Sequence, residues 1–166
     1  MIIQQIIGNI DTYDTTNKKL DLVSLEWHET RKRILHKITH SGREIAMKFL
    51  NNTLCLNDGD ILYEDNEHLI VIDILECDVI IVKPEGMLQM ASVCYEIGNR
   101  HLSLYYQHEE LLIAYDPPLY KILLSAGYDL RVEKKKLMNP ITTSVLADVQ
   151  IHNAVIINLE STDITT

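Results

Sequence analysis

The stretch that decides the fold is residues 77–137, CDVIIVKPEGMLQMASVCYEIGNRHLSLYYQHEELLIAYDPPLYKILLSAGYDLRVEKKKL. CDVIIVKP is a β-branched run closed by Pro84, the pattern of a buried strand. From Met87 to Ile97 the apolar residues Met87, Leu88, Met90, Ala91, Cys94, Tyr95 and Ile97 follow a helical period, and Gly98 is placed to stop it. HLSLYYQ and ELLIAY read as two strands joined at His108-Glu109. Asp116 suits an N-cap, with Pro117 at the first helical position. Leu119, Ile122, Leu123 and Ala126 line one face of that helix, and Gly127 ends it. DLRVEKKKL is a last strand whose lysines suit an edge. The order is β-α-β-β-α-β, the ferredoxin-like arrangement.

Upstream, no helical period is sustained. LDLVSLEW places apolar residues at Leu20, Leu22, Val23, Leu25 and Trp27. Two runs mixing basic and apolar residues flank Ser41-Gly42, which signals a hairpin. Further turns are expected at Asp58-Gly59 and near Asp65-Asn66. The expected class is therefore α+β. Residues 1–74 form a β-rich domain, residues 75–138 a ferredoxin-like domain, and residues 139–166 a tail rich in Thr, Ser, Val and Ile. The tail is expected to be partly mobile or ordered only in an assembly.

The 166 residues carry 24 acidic and 15 basic side chains, a net charge of −9, which argues against non-specific binding to nucleic acid or anionic membranes. Cys55, Cys77 and Cys94 lack CxxC spacing and sit among apolar residues, as reduced thiols in a cytoplasmic protein do. The N-terminal MIIQQIIGNID has no basic region and no long apolar core, so it does not read as a signal peptide. No apolar run is long enough to span a bilayer.

Seven histidines are scattered without HxxH, HExxH or Cys/His ligand spacing, so a zinc cage within one chain is not expected. His101 stands apart because it follows a helix stop and opens a strand. Two readings stay open for it: a structural strand-edge histidine, or a metal ligand that becomes effective when a twofold dimer brings its copy opposite. Cys94, between Val93 and Tyr95 on the helix, reads as core rather than as a thiolate ligand.

EIGNRH (96–101), with YDPPL downstream, resembles the UreE family of urease accessory proteins, nickel metallochaperones of urease maturation. LEWHETRKR and GREIAMKF…LNDGDIL resemble that family's N-terminal domain. The resemblance implies a first domain that binds peptide or protein partners and a second that binds metal. It implies a homodimer through the second domain, with His101 facing its twin. It implies delivery of Ni²⁺ to the urease apoprotein together with accessory proteins that include a GTPase; Zn²⁺ and Cu²⁺ compete for the same ligands. Family tails often complete the metal shell and many are histidine-rich. This tail offers only His152, either one further ligand or an uninvolved residue. High-capacity nickel storage is not expected.

Three other readings compete. An acylphosphatase-like enzyme needs an arginine-bearing phosphate loop, which is not found, nor is a nucleophile–base pair. An RNA-recognition module needs strand aromatics and a basic face; Tyr105 and Tyr106 alone, in a chain of charge −9, do not supply them. A metal-independent protein-interaction module of a cytosolic assembly complex is the more serious competitor. Imidazole binds metal only when neutral, so nickel loading should fall as pH drops through ~6.5. Nickel titration across pH checks this, and unchanged stoichiometry near pH ~5 would count against histidine ligation.

Overall fold

A computed structural model describes residues 1–49 and 55–141. The tail beyond residue 141, including His152, lies outside the described residues.

The first half holds two sheets. One is three-stranded, in the order β1 (Ile2–Ile3), β5 (Glu44–Lys48), β4 (Ile34–Ile38). The other is four-stranded, in the order β2 (Gly8–Asn9), β6 (Asp60–Glu64), β7 (His68–Ile74), β3 (Lys19–Leu25). The expected hairpins are present: β4 pairs antiparallel with β5, and β6 with β7. At the Asp58-Gly59 turn, Gly59 has φ +80 and an added Cβ would lie 2.8 Å from the Ile10 side chain, so glycine is required there. Strands β1 and β2 are two residues each, too short to leave a periodic signal. The two sheets enclose a core that includes Ile3, Val23, Leu25, Leu35, Met47, Leu62, Ile70 and Ile72.

Strand β3 buries one face that includes a carboxylate. Its buried residues are Asp21, Val23 and Leu25, whereas Leu20 is 49% exposed. Asp21 is buried because it holds the β4–β5 hairpin tip: Ser41 donates to it from its backbone N–H (2.9 Å) and its hydroxyl (2.5 Å). Burial pushes the Asp21 carboxyl up, but the Ser41 bonds and Arg43 outweigh it and the pKa is lowered. A buried polar group is tolerated there because it is fully paired.

The second half is the expected βαββαβ unit: β8 (Cys77–Val82), α1 (Gly86–Asn99), β9 (Tyr105–Gln107), β10 (Glu110–Ala114), α2 (Pro117–Ser125) and β11 (Leu130–Lys135). Strand order is β11-β8-β10-β9, antiparallel throughout. Asp116 caps α2 by accepting from the Leu119 N–H at 2.7 Å. The β9–β10 turn puts His108 and Glu109 at φ 49 and 65, the two left-handed residues of a type I′ hairpin.

Strand β8 is buried on both faces, which is why its sequence runs apolar without alternation. Ile80 and Val82 pack toward the helices with Val93, Ile97, Leu119 and Leu123. Val79 and Ile81 face the other way, onto Tyr105, Leu112, Leu137 and, from the first half, Trp27. Trp27 meets Tyr105 edge to face, with centroids 6.5 Å apart, and burial pushes the Tyr105 phenol up to about 12. A second tie follows β11: Lys136 Nζ donates to Asp58 (2.9 and 3.0 Å) and Asp73 (2.8 Å), while Met138 packs against the first core.

Replacing Asp21 by alanine should destabilise the protein by about 1–3 kcal/mol, since the Ser41 groups lose their acceptor. Chemical denaturation measures this, and a change below about 0.5 kcal/mol would mean the contact does not hold the hairpin.

Candidate metal centre

The expected strand beginning at His101 is not observed: β9 starts only at Tyr105. Nor does Gly98 stop the helix, which runs on to Asn99 with Arg100 as its cap. The reason is a closing motif that needs a left-handed residue after the cap, and His101 supplies it at φ 55. The His101 N–H donates to Gly98 O (3.0 Å), and the Leu102 N–H reaches back to Ile97 O (3.4 Å). These are the two bonds of a Schellman cap, and Leu102 and Ile97 share the second core, as that motif favours. Glycine is the usual occupant. A side chain there costs about 1–2 kcal/mol, although histidine tolerates the region better than most residues.

The backbone of His101 is therefore fixed while its imidazole is exposed. It stands at the carboxyl end of α1, where the helix dipole favours positive charge. Beside it Arg100 Nε donates to Glu96 Oε1 at 2.9 Å, one helical turn back. This pair shows what Arg100 contacts within the chain. Glu96 was not singled out in the sequence, yet a Glu followed by Arg at i+4 carries the signal for such a pair.

The two faces of α1 now separate. Met90, Val93, Cys94 and Ile97 pack into the second core. Leu88 (82% exposed), Ala91, Tyr95 (72% exposed) and Gly98 recur every three or four residues on the opposite side, ending beside His101. Cys94 packs against the second core and contacts the Met90 sulfur at 3.9 Å, and burial pushes its thiol pKa up. Among the described residues no group of three or more His, Cys, Asp or Glu side chains converges to hold a metal. Among the described residues His101 therefore belongs to no such group.

The segment after His101 also receives the root of the tail. The Ile141 N–H donates to Leu104 O at 2.7 Å, and Pro140 bridges Tyr105. The chain thus leaves its described part within a few residues of His101.

Two family models cover the chain: the UreE urease accessory protein N-terminal domain over residues 3–75 and the C-terminal domain over residues 77–152. A urease accessory protein UreE of Flavobacterium johnsoniae is 40% identical, over 92% of this chain and 90% of its own. One from Acetivibrio thermocellus is 35% identical over 85% and 92%, and one from Helicobacter acinonychis 37% over 82% of each. These similarities define the class, an accessory protein rather than an enzyme. The chain belongs to the UreE urease accessory protein family, and that membership supports a role in urease maturation.

If the left-handed cap is strained by its side chain, His101→Gly should melt up to about 2–4 °C above the parent, with no such gain for His101→Ala. A glycine variant that melts below the parent would instead show the imidazole holding the fold together.

Proposed function

We propose that the protein is a nickel metallochaperone that binds Ni²⁺ between two copies of the chain and hands it to the urease apoprotein. The observation that carries this reading is the exposed apolar stripe of α1 ending at His101. A helix apolar on both sides is built to be covered on both sides. Twofold pairing along Leu88, Ala91 and Tyr95 covers the stripe and sets the two His101 side chains on either side of the axis. Two imidazoles suit Ni²⁺ better than an all-oxygen set, and Zn²⁺ and Cu²⁺ compete for them.

His152 completes the shell in this reading. It lies eleven residues beyond Ile141, a reach of up to ~36–40 Å when extended. From Leu104, which holds Ile141, back to His101 is three residues, at most about 11 Å. One or both tails of a dimer can therefore reach the axis. Two fixed ligands and one or two on a tether leave positions open to water, so an incoming ligand set replaces the nitrogens stepwise. Residues 75–138 bind metal and dimerise. Residues 1–74 bind partner proteins, among them urease and its other accessory proteins, including the GTPase. The work is placed in the cytoplasm.

Native mass measurement with added Ni²⁺ tests the proposal. The expected species is a dimer with nickel bound at the axis; His101→Ala abolishes that ion, and His152→Ala weakens it. A His101→Ala chain that binds as much nickel as the parent would refute the carrier reading in favour of a metal-independent interaction module.

A further inference from the structure

We infer that the outer edge of β4 accepts an extended, acidic strand from a partner protein. This deepens the partner-binding role proposed for residues 1–74 and does not depend on nickel.

Strand β4 lies at the end of its sheet, and among the described residues no strand pairs along its outer side, β3 touching only beyond its end, where the His40 N–H donates to Leu22 O. The register fixes which backbone groups face out. Phe49 N–H donates to Arg33 O and Thr39 N–H to Arg43 O, so residues 33, 35, 37 and 39 spend their backbone groups on β5. The alternation leaves the N–H and C=O of Ile34, His36 and Ile38 directed away from β5. The other side of β5 shows the same rule, since Ala46 N–H donates to Met1 O beside β1. The side chains of the same three residues lie on the outer face of the sheet, with Ile34 53% and Ile38 63% exposed. Strand β11, also at an edge, is by contrast lined by Arg131, Glu133, Lys134 and Lys135, the usual defence against strand addition. The outward-directed positions of β4 are instead Ile34, His36 and Ile38, and its one lysine, Lys37, is tied to Glu29.

Charge chooses the occupant. Residues 31–48 contain six Lys or Arg and one acidic residue, in a chain of net charge −9. Lys32 and Lys37 pair with Glu29, and Arg43 with Asp21 and Asp65. Arg31, Arg33 and Lys48 have no carboxylate partner among the described residues. Lys48 lies opposite Ile34 in the ladder, on the outer face. A second copy of this edge would set basic against basic, which disfavours self-pairing. A strand alternating apolar residues with Asp or Glu satisfies the backbone groups, covers the isoleucines and matches the charge.

The test uses the full chain and two labelled synthetic peptides, one alternating valine with glutamate and one valine with lysine. The glutamate peptide should bind, with an affinity that falls as salt rises, and the lysine peptide should not. NMR amide exchange should show new protection at Ile34, His36 and Ile38, while Leu35 and Lys37, already bonded to β5, change little. Arg33→Glu with Lys48→Glu should weaken binding about tenfold or more. His36→Pro should do the same, since it removes an outward N–H without breaking a β4–β5 bond. The charge variants keep the test valid if the proline variant fails to fold. Absence of glutamate-peptide binding, equal binding of both peptides, or protection confined to another surface would each overturn the proposal. So would a parent oligomer that dissociates on His36→Pro, because the edge would then belong to a second copy. Any of these outcomes with nickel stoichiometry intact removes the edge and leaves the metal reading standing.

Discussion

Val79, Ile80, Ile81 and Val82 send branched side chains alternately to the two faces of one strand, and neither face can be left in water. Burying each such residue is worth about 1.5–3 kcal/mol, so both faces must find cover. The helices α1 and α2 cover one face. The other is covered by Leu137 and by Trp27 from the first half. This double demand joins the two halves, and Lys136, held by Asp58 and Asp73, reinforces the join where the chain leaves β11.

The same demand settles the orientation of α1. Met90, Val93, Cys94 and Ile97 are drawn onto the sheet, which turns Leu88, Ala91 and Tyr95 outward and carries the helix end, with His101, to the surface. Holding a histidine in the left-handed region costs free energy that glycine would not. Such strain concentrates where a side chain is needed in a defined place. The His101 backbone is held by its own bond to Gly98 O and by the Leu102 bond to Ile97 O, while its side chain is exposed.

Most of the architecture was legible. The β-α-β-β-α-β order, the hairpins at Ser41-Gly42 and Asp65-Asn66, and the Asp116 cap each rest on local chemistry that acts within a few residues. The Gly98 stop and the His101 strand were misread, and the burial of Asp21 was not foreseen. Asp21 points inward because Ser41, twenty residues on, bonds it there. The helix passes Gly98 because the left-handed closing position falls three residues later, at His101. The expected strand at His101 was displaced for the same reason, since a residue in the left-handed region cannot extend a ladder.

Periodicity and turn chemistry, read along the chain, determined the class of fold, the order of its elements and the histidine worth following, because each depends on neighbours a few positions away. Which side of α1 faces outward, which backbone groups of β4 look away from its sheet, and how Trp27 comes to cover the second sheet were decided only by tertiary packing. Those outcomes depend on contacts between residues far apart in the chain, which no local pattern encodes.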